Sequence, residues 1–353
     1  MPSNTTRHNI DSLTRPADLV RNLDGKNLLC TACGHLCKLK PGQRGVCKVR
    51  FNMEGTLMVP FSYSAGLQND PIEKKPFFHA LPGSLAMSFG MLGCDFRCAY
   101  CQNWFTSQSL KDEASTVRAT PITAGEICDQ ALQQGSRVVV STYNEPLITS
   151  EWGVEVFQEA KKRGLGTAYV SNGHGTPEVM EYLHPWVDLF KIDLKSFSEK
   201  EYRRLGGNLS AVLETIQTVQ YMGIWLELVS LLIPDYNDSD IELAKMAEFI
   251  AGVSPSIPWH VTAFHPDYKM RDRGRTQVDT LLRASQHGKA AGLNFVYCGN
   301  LPGQVTNAEN TYCPNCQHLL VERRGFQVLS INLKGERCPS CNADIPGHWL
   351  NFN

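Results

Sequence analysis

The chain has 353 residues, 42% hydrophobic and 20% charged, with a formal net charge of -1, which allows a large core in roughly two domains or one barrel with additions. The balanced charge gives no electrostatic ground for a nucleic-acid partner, and no run of eighteen apolar residues offers a membrane span. Thirteen cysteines in a long chain whose start, Met1 to Asp24, lacks a signal-peptide core point to metal rather than disulfides, and to a cytoplasmic protein.

Residues 1–26 show no periodicity and read as a loosely held N-terminal arm. Residues 27–83 form a metal-binding segment and lead-in. Cys30, Cys33, Cys37 and Cys47 fall within eighteen residues, separated by turn-forming Gly and Pro, a pattern that wraps one metal. Zinc is the default for four thiolates with no open position. A second iron–sulfur cluster for electron relay is the alternative, because it uses the same ligands. His35 reads as a supporting or surface neighbour. Glu73, Lys74 and Lys75 read as a solvated turn, with shaping of a substrate mouth as the alternative.

Residues 84–300 form the core. Ser84 to Met91 is a run of small and apolar residues that reads as a buried strand, and beyond it Cys94, Cys98 and Cys101 follow CxxxCxxC spacing. Three thiols leave a closed zinc tetrahedron one ligand short, whereas a [4Fe-4S] cube held by three keeps one iron open to a substrate. Helical stretches then alternate with short apolar strands. The first helix runs from a Thr123 cap with Glu126 to Gln134, followed by a strand at Arg137 to Thr142, and the unit repeats through Leu293 to Tyr297. The α/β pattern gives six βα strands and a candidate seventh. A partial (β/α)6 barrel fits better than a doubly wound sheet, because polar residues follow nearly every strand end. Those residues include Asn144 and Glu145, Ser171 and Asn172, Asp193 and Lys195, and His265. Carboxylate, amide, lysine and histidine together suit a zwitterionic ligand.

Residues 301–353 form a tail. Cys313 and Cys316, then Cys338 and Cys341, make two CPxC knuckles around a strand-like stretch, the pattern of a zinc ribbon. Arg323 and Arg324 read as a solvated strand face. Cys128 and Cys298 lie outside all three clusters and read as buried small hydrophobes.

With aromatic Tyr100 before its third cysteine, the CxxxCxxC loop resembles the signature of radical S-adenosylmethionine (SAM) enzymes. Over roughly residues 84–300 the chain is most similar to the activating enzymes of glycyl radical proteins such as pyruvate formate-lyase. The four-cysteine segment, the stretch Asp70 to His79 and the tail together resemble AmmeMemoRadiSam-system radical SAM proteins, from about Cys30 to Trp349. The resemblance implies a [4Fe-4S] cluster on Cys94, Cys98 and Cys101, with SAM on the fourth iron. It implies SAM contacts from Tyr100, Asn144, Glu145, Ser171, Asn172, Asp193, Lys195 and His265, with Asn144 and Glu145 at the amino group. Tyr143 to Pro146 replaces the Gly-Gly-Glu-Pro type of turn found in many members, and keeps its carboxylate. The expected donor is a reduced ferredoxin or flavodoxin, and the expected product a 5'-deoxyadenosyl radical that takes hydrogen from a small-molecule or protein substrate. Memo-like and AMMECR1-like proteins are the implied companions. Two alternatives stand beside this reading: activation of a glycyl radical protein, and a non-catalytic scaffold or nucleic-acid adaptor with three zinc sites.

Overall fold

The computed structural model describes residues 10–115 and 117–350. Eight strands lie side by side in sequence order: β1 (Gly66–Pro71), β2 (Leu85–Gly90), β3 (Ser136–Ser141), β4 (Gly166–Ser171), β5 (Leu189–Asp193), β6 (Trp225–Leu232), β7 (Trp259–Ala263) and β8 (Val296–Gly299). Neighbours from β2 to β8 are parallel, and β1 runs antiparallel along β2. Val138, Val139 and Val140 on β3 are all buried, the unbroken apolar run of a strand covered on both faces.

The parallel strands are connected by α1 (Ala124–Gln133), α2 (Ser150–Lys162), α3 (Pro177–Leu183), α4 (Glu199–Leu205), α5 (Leu209–Tyr221), α6 (Asp240–Val253) and α7 (Val278–Ala290). The capping box expected at Thr123 and Glu126 opens α1. The short α4 was not anticipated. It is mostly charged and buries only Tyr202 and Leu205, and it closes on Gly206 at φ 95°. The parallel set contains the six expected strands and the seventh. Edge strands β1 and β8 are not paired to each other, so the barrel is partial and open along one flank.

Of the expected loose arm, residues 1–9 lie outside the described residues. From residue 10 the chain is held. Thr14–Pro16 pairs with Thr56–Pro60, Val20–Asn22 pairs with Leu28–Cys30, and the Arg15 guanidinium sits 4.0 Å from the centre of the Phe61 ring. Three-residue strands are too short to show a period, which is why this order was not legible.

The tail forms a three-stranded antiparallel sheet of Thr311–Tyr312, Leu319–Arg324 and Gln327–Ile331. It docks through its own apolar core, which includes Phe78, Phe295, Tyr297, Leu320, Val321 and Trp349. Two expectations fail here. Glu73, Lys75 and Arg323 are buried rather than solvated. Arg323 donates to Phe78 O at 2.6 Å and Thr311 Oγ1 at 2.7 Å, with Nε 3.6 Å from Glu73 Oε1, while Lys75 pairs with Asp70 at 2.8 Å. Each charge has an opposite partner, which makes its burial tolerable. Among the described residues no helix is long and apolar enough to cross a membrane.

Candidate active site

The loop after β2 carries the three core cysteines and is tied down along its length. Gly93 N donates to Thr106 O at 3.0 Å, Arg97 N to Leu205 O at 2.8 Å, and Lys269 N to Ala99 O at 2.9 Å. The Lys111 ammonium donates to Cys94 O at 2.6 Å and Phe96 O at 3.0 Å. The thiols themselves are supported by Phe96 N, 3.3 Å from Cys94 Sγ, and by Ser107 Oγ, 3.2 Å from Cys101 Sγ. Burial raises all three thiols, Cys98 to about 12, so metal must displace protons to bind.

One cavity of about 890 Å³ opens beside this loop and collects every side chain the sequence nominated in the core: Cys94, Cys98, Tyr100 and Cys101 from the loop, Asn144 and Glu145 after β3, Ser171 and Asn172 at β4, Asp193 and Lys195 at β5, and His265 after β7. Parallel strands deliver their C-terminal ends to one face, which brings these separate loops together.

Their roles within the cavity differ. Glu145 accepts from Ser171 Oγ at 2.6 Å, Asn172 N at 2.7 Å and Leu147 N at 3.1 Å. Burial and then the charge of Asp95 still push its carboxyl up to about 8. Asn144 is spent on the backbone, accepting from Met91 N at 3.0 Å and donating to Glu145 O at 3.0 Å. Asn172 Nδ2 donates to Asp95 Oδ1 at 2.8 Å. Ser171 and Asn172 therefore brace the acids beside them, and Asn144 braces the loop backbone. Asp193 lies between the ammonium groups of Lys191 and Lys195, the latter at 3.0 Å. Burial opposes its ionisation, and the two lysines outweigh that and hold it near 2. His265 is exposed at the mouth, its Nδ1 3.4 Å from Gln102 Nε2.

The sequence did not single out Asp95, the hub behind the cysteine loop. Asp95 is fully buried, with His174 Nδ1 2.9 Å from Oδ2 in addition to the Asn172 contact. Burial works against its charge, but His174 and His35 more than compensate and hold it below the ordinary carboxyl range. The two neighbouring acids thus divide, Asp95 taking the charge and Glu145 the proton. The clue available was an acid inside a metal loop. The tail turn's place in the site was not foreseen: Arg324, exposed as its reading as a solvated strand face requires, lines the cavity with Phe326, Gln327, Lys74, Lys75 and Phe78.

The cysteine sets differ in spacing. In the tail, Sγ of Cys313 and Cys341 are 3.6 Å apart, as are those of Cys316 and Cys338, and all four thiols lie within 4.8 Å of one another. A single zinc about 2.3 Å from each sulfur requires separations of about 3.8 Å, so the tail fits one tetrahedral ion. No three core thiols are that close among the described residues, which suits ligands that each take a different iron of a cube.

The model of the Radical SAM superfamily matches residues 90–250. An uncharacterised protein of Methanocaldococcus jannaschii is 36% identical over 335 residues, covering 94% of this chain and 98% of that protein. The pyruvate formate-lyase-activating enzyme of Streptococcus mutans is 25% identical over 201 residues, 52% of this chain and 73% of the enzyme. The GTP 3',8-cyclase of Rhizobium etli is 27% identical over 154 residues, 42% of this chain and 43% of the cyclase. Among solved structures, Streptococcus suis SuiB bound to S-adenosylmethionine aligns with a TM-score of 0.49 at 13% identity, covering 69% of this chain and 56% of that one.

Proposed function

The chain belongs to the radical SAM superfamily, and from that premise we propose that Cys94, Cys98 and Cys101 hold its [4Fe-4S] cluster and that the strand-end residues around them hold SAM. The observation that carries this reading is the convergence of eleven separately nominated side chains on one cavity. Cluster and SAM, when bound, supply reductive cleavage of the sulfonium C5' bond and a 5'-deoxyadenosyl radical.

The rest is the work of this chain's residues. Glu145, braced by Ser171 and Asn172, faces the amino group of SAM. Neutral alone, it ionises when that ammonium arrives, as opposite charge offsets burial. Lys195 and Lys191 flank Asp193 where a carboxylate or ribose binds. Tyr100 and His265 border the ligand. Phe78, Tyr297 and Phe326 wall the cavity with carbon, which keeps water and stray hydrogen donors from a reactive radical. The reductant is a ferredoxin or flavodoxin, and the tail thiols hold zinc.

The test is anaerobic reconstitution followed by addition of SAM and dithionite, with chromatography for 5'-deoxyadenosine. Release of deoxyadenosine, with an EPR signal of the reduced cluster altered by SAM, supports the reading. A protein that binds only zinc and releases none refutes it in favour of a zinc-bound scaffold.

A further inference from the structure

The N-terminal thiols do not have the tail's geometry. Gly45 makes a gap between two of them: a Cβ there would stand 3.5 Å from Cys47 Sγ and 3.6 Å from Cys37 Sγ. Cys30 N donates to Cys37 O at 3.0 Å and Leu36 N to Cys33 O at 3.1 Å, so one tight turn holds the first three together. Yet among the described residues no three of them lie within 4.8 Å of one another, as the tail thiols do. A single ion demands the tighter packing. Thiolates on four irons of a cube stand further apart.

The segment also sits against the core loop. Gly34 N donates to His174 O at 2.9 Å, and a Cβ on Gly34 would meet His174 Nε2 at 2.7 Å. On the other side a Cβ on Gly93 would meet Cys47 O at 3.1 Å. One buried carboxylate spans the two thiol sets: Asp95 Oδ1 is 3.8 Å from Cys94 Sγ, and ligand atoms of Asp95, His174 and Cys33 lie within 4.8 Å of one another. That trio is not an ion site in its own right. Asp95 is engaged by Asn172 and His174, and His174 Nε2 lies 3.1 Å from Asn208 Nδ2. At the opposite corner Cys37 is half-exposed, beside exposed Leu36 and Val46.

We propose that Cys30, Cys33, Cys37 and Cys47 hold a second iron–sulfur cluster, with Cys37 facing an external donor and Cys33 facing the core loop across Asp95 and His174. One electron passes from a ferredoxin- or flavodoxin-type donor to this cluster and from it to the cluster on Cys94, Cys98 and Cys101. The donor loses one electron and the second cluster returns to its starting state. The relay rests on the reading of the core as a radical SAM site; the identity of the N-terminal metal does not.

The full chain carrying C94A, C98A and C101A is reconstituted anaerobically with iron and sulfide, then analysed for metals and by Mössbauer spectroscopy. The inference expects about four irons and one zinc per chain. Two zincs and no iron overturn it. Should that variant not fold, the intact chain is compared with Cys37→Ser: a loss of iron that leaves the SAM-responsive EPR signal in place supports the second cluster, and unchanged iron refutes it. For the relay, C37S keeps deoxyadenosine release driven by dithionite but loses that driven by reduced flavodoxin. Equal retention with both donors overturns the relay. Absence of release from the intact chain with dithionite counts against the core reading instead, and the iron count still stands.

Discussion

Arg50 and Glu151 meet through two hydrogen bonds, Nη1 to Oε2 at 2.7 Å and Nη2 to Oε1 at 2.8 Å, with neither side chain more than 1% exposed. Arg50 also donates to Ile148 O at 3.2 Å, and Glu151 accepts from Leu19 N at 3.2 Å. The pair rivets the N-terminal segment to α2. Glu151→Leu leaves a buried guanidinium without its counter-charge and should cost about 3–5 kcal/mol in urea unfolding. The double variant R50M/E151L should recover most of that loss. An E151L cost no larger than that of a surface substitution would show that the pair does not hold the segment.

Cys98→Ala should abolish deoxyadenosine release while the far-UV circular dichroism stays that of the parent. The loop does not depend on this thiol for its shape, since backbone bonds from Arg97 and Lys269 and the Lys111 ammonium hold it. Release surviving in C98A would remove this cysteine from the cluster.

Gly207 lies against the ring of Phe96, inside the cysteine loop; an added Cβ would come 2.2 Å from Cε1. Phe96 is fully buried and cannot yield without moving the loop. Gly207→Ala should therefore destabilise by about 1–3 kcal/mol, the range for overpacking, and lower iron retention together with the melting temperature. Unchanged iron content would mean that the loop tolerates the shift.

His79 gives a pH dependence with a fixed sign. Its Nδ1 is 2.7 Å from Pro346 O, which can only accept, so Nδ1 carries the proton and Nε2 accepts from Tyr297 Oη at 2.7 Å. Burial lowers the imidazole from 6.5 to about 4. Between these values the unfolded chain binds the proton and the folded chain does not, so stability is complete above pH 6.5 and falls as pH drops towards 4. The loss is on the order of 3 kcal/mol. Thermal unfolding from pH 7 to pH 4.5 should show this slope, and H79Q should flatten it. An equal slope in both proteins would assign it to other groups.

Cys338 is 1% exposed and closes the tail's four-thiol set. Under the proposed zinc assignment, Cys338→Ser should lower the zinc bound per chain by one and make residues after 310 susceptible to limited proteolysis, while β2 to β8 stay protected in hydrogen exchange. Tail protection that survives loss of the metal would show that the apolar core around Trp349 suffices to hold it.

Alternating strands and helices were legible because caps and glycines punctuate them: Thr123 and Glu126 open α1, and Gly164 follows α2. Polar residues after each apolar run marked the site. The burial of Arg323 was not legible, because the carbonyl of Phe78 and the carboxylate of Glu73 that neutralise it lie some 250 positions earlier in the chain. Asp95 was missed for the same reason. Its value comes from His174, 79 residues away, and a lone acid beside a cysteine does not announce a distant imidazole.

A barrel closed by hydrogen-bonded strands fixes the gauge of its mouth by strand number and tilt. Between β1 and β8 no pairing is present among the described residues, and the cavity is lined there by residues from Lys74 to Phe78 and from the tail turn at Arg324 to Gln327. Of these, Lys74, Arg324 and Phe326 are exposed and belong to no strand of the eight-stranded sheet, whereas Lys75 and Phe78 are buried. Under the proposed function, the cysteine loop that makes the radical and these exposed wall residues are separate pieces of chain, so the range of molecules admitted can drift in a lineage while the chemistry stays constant.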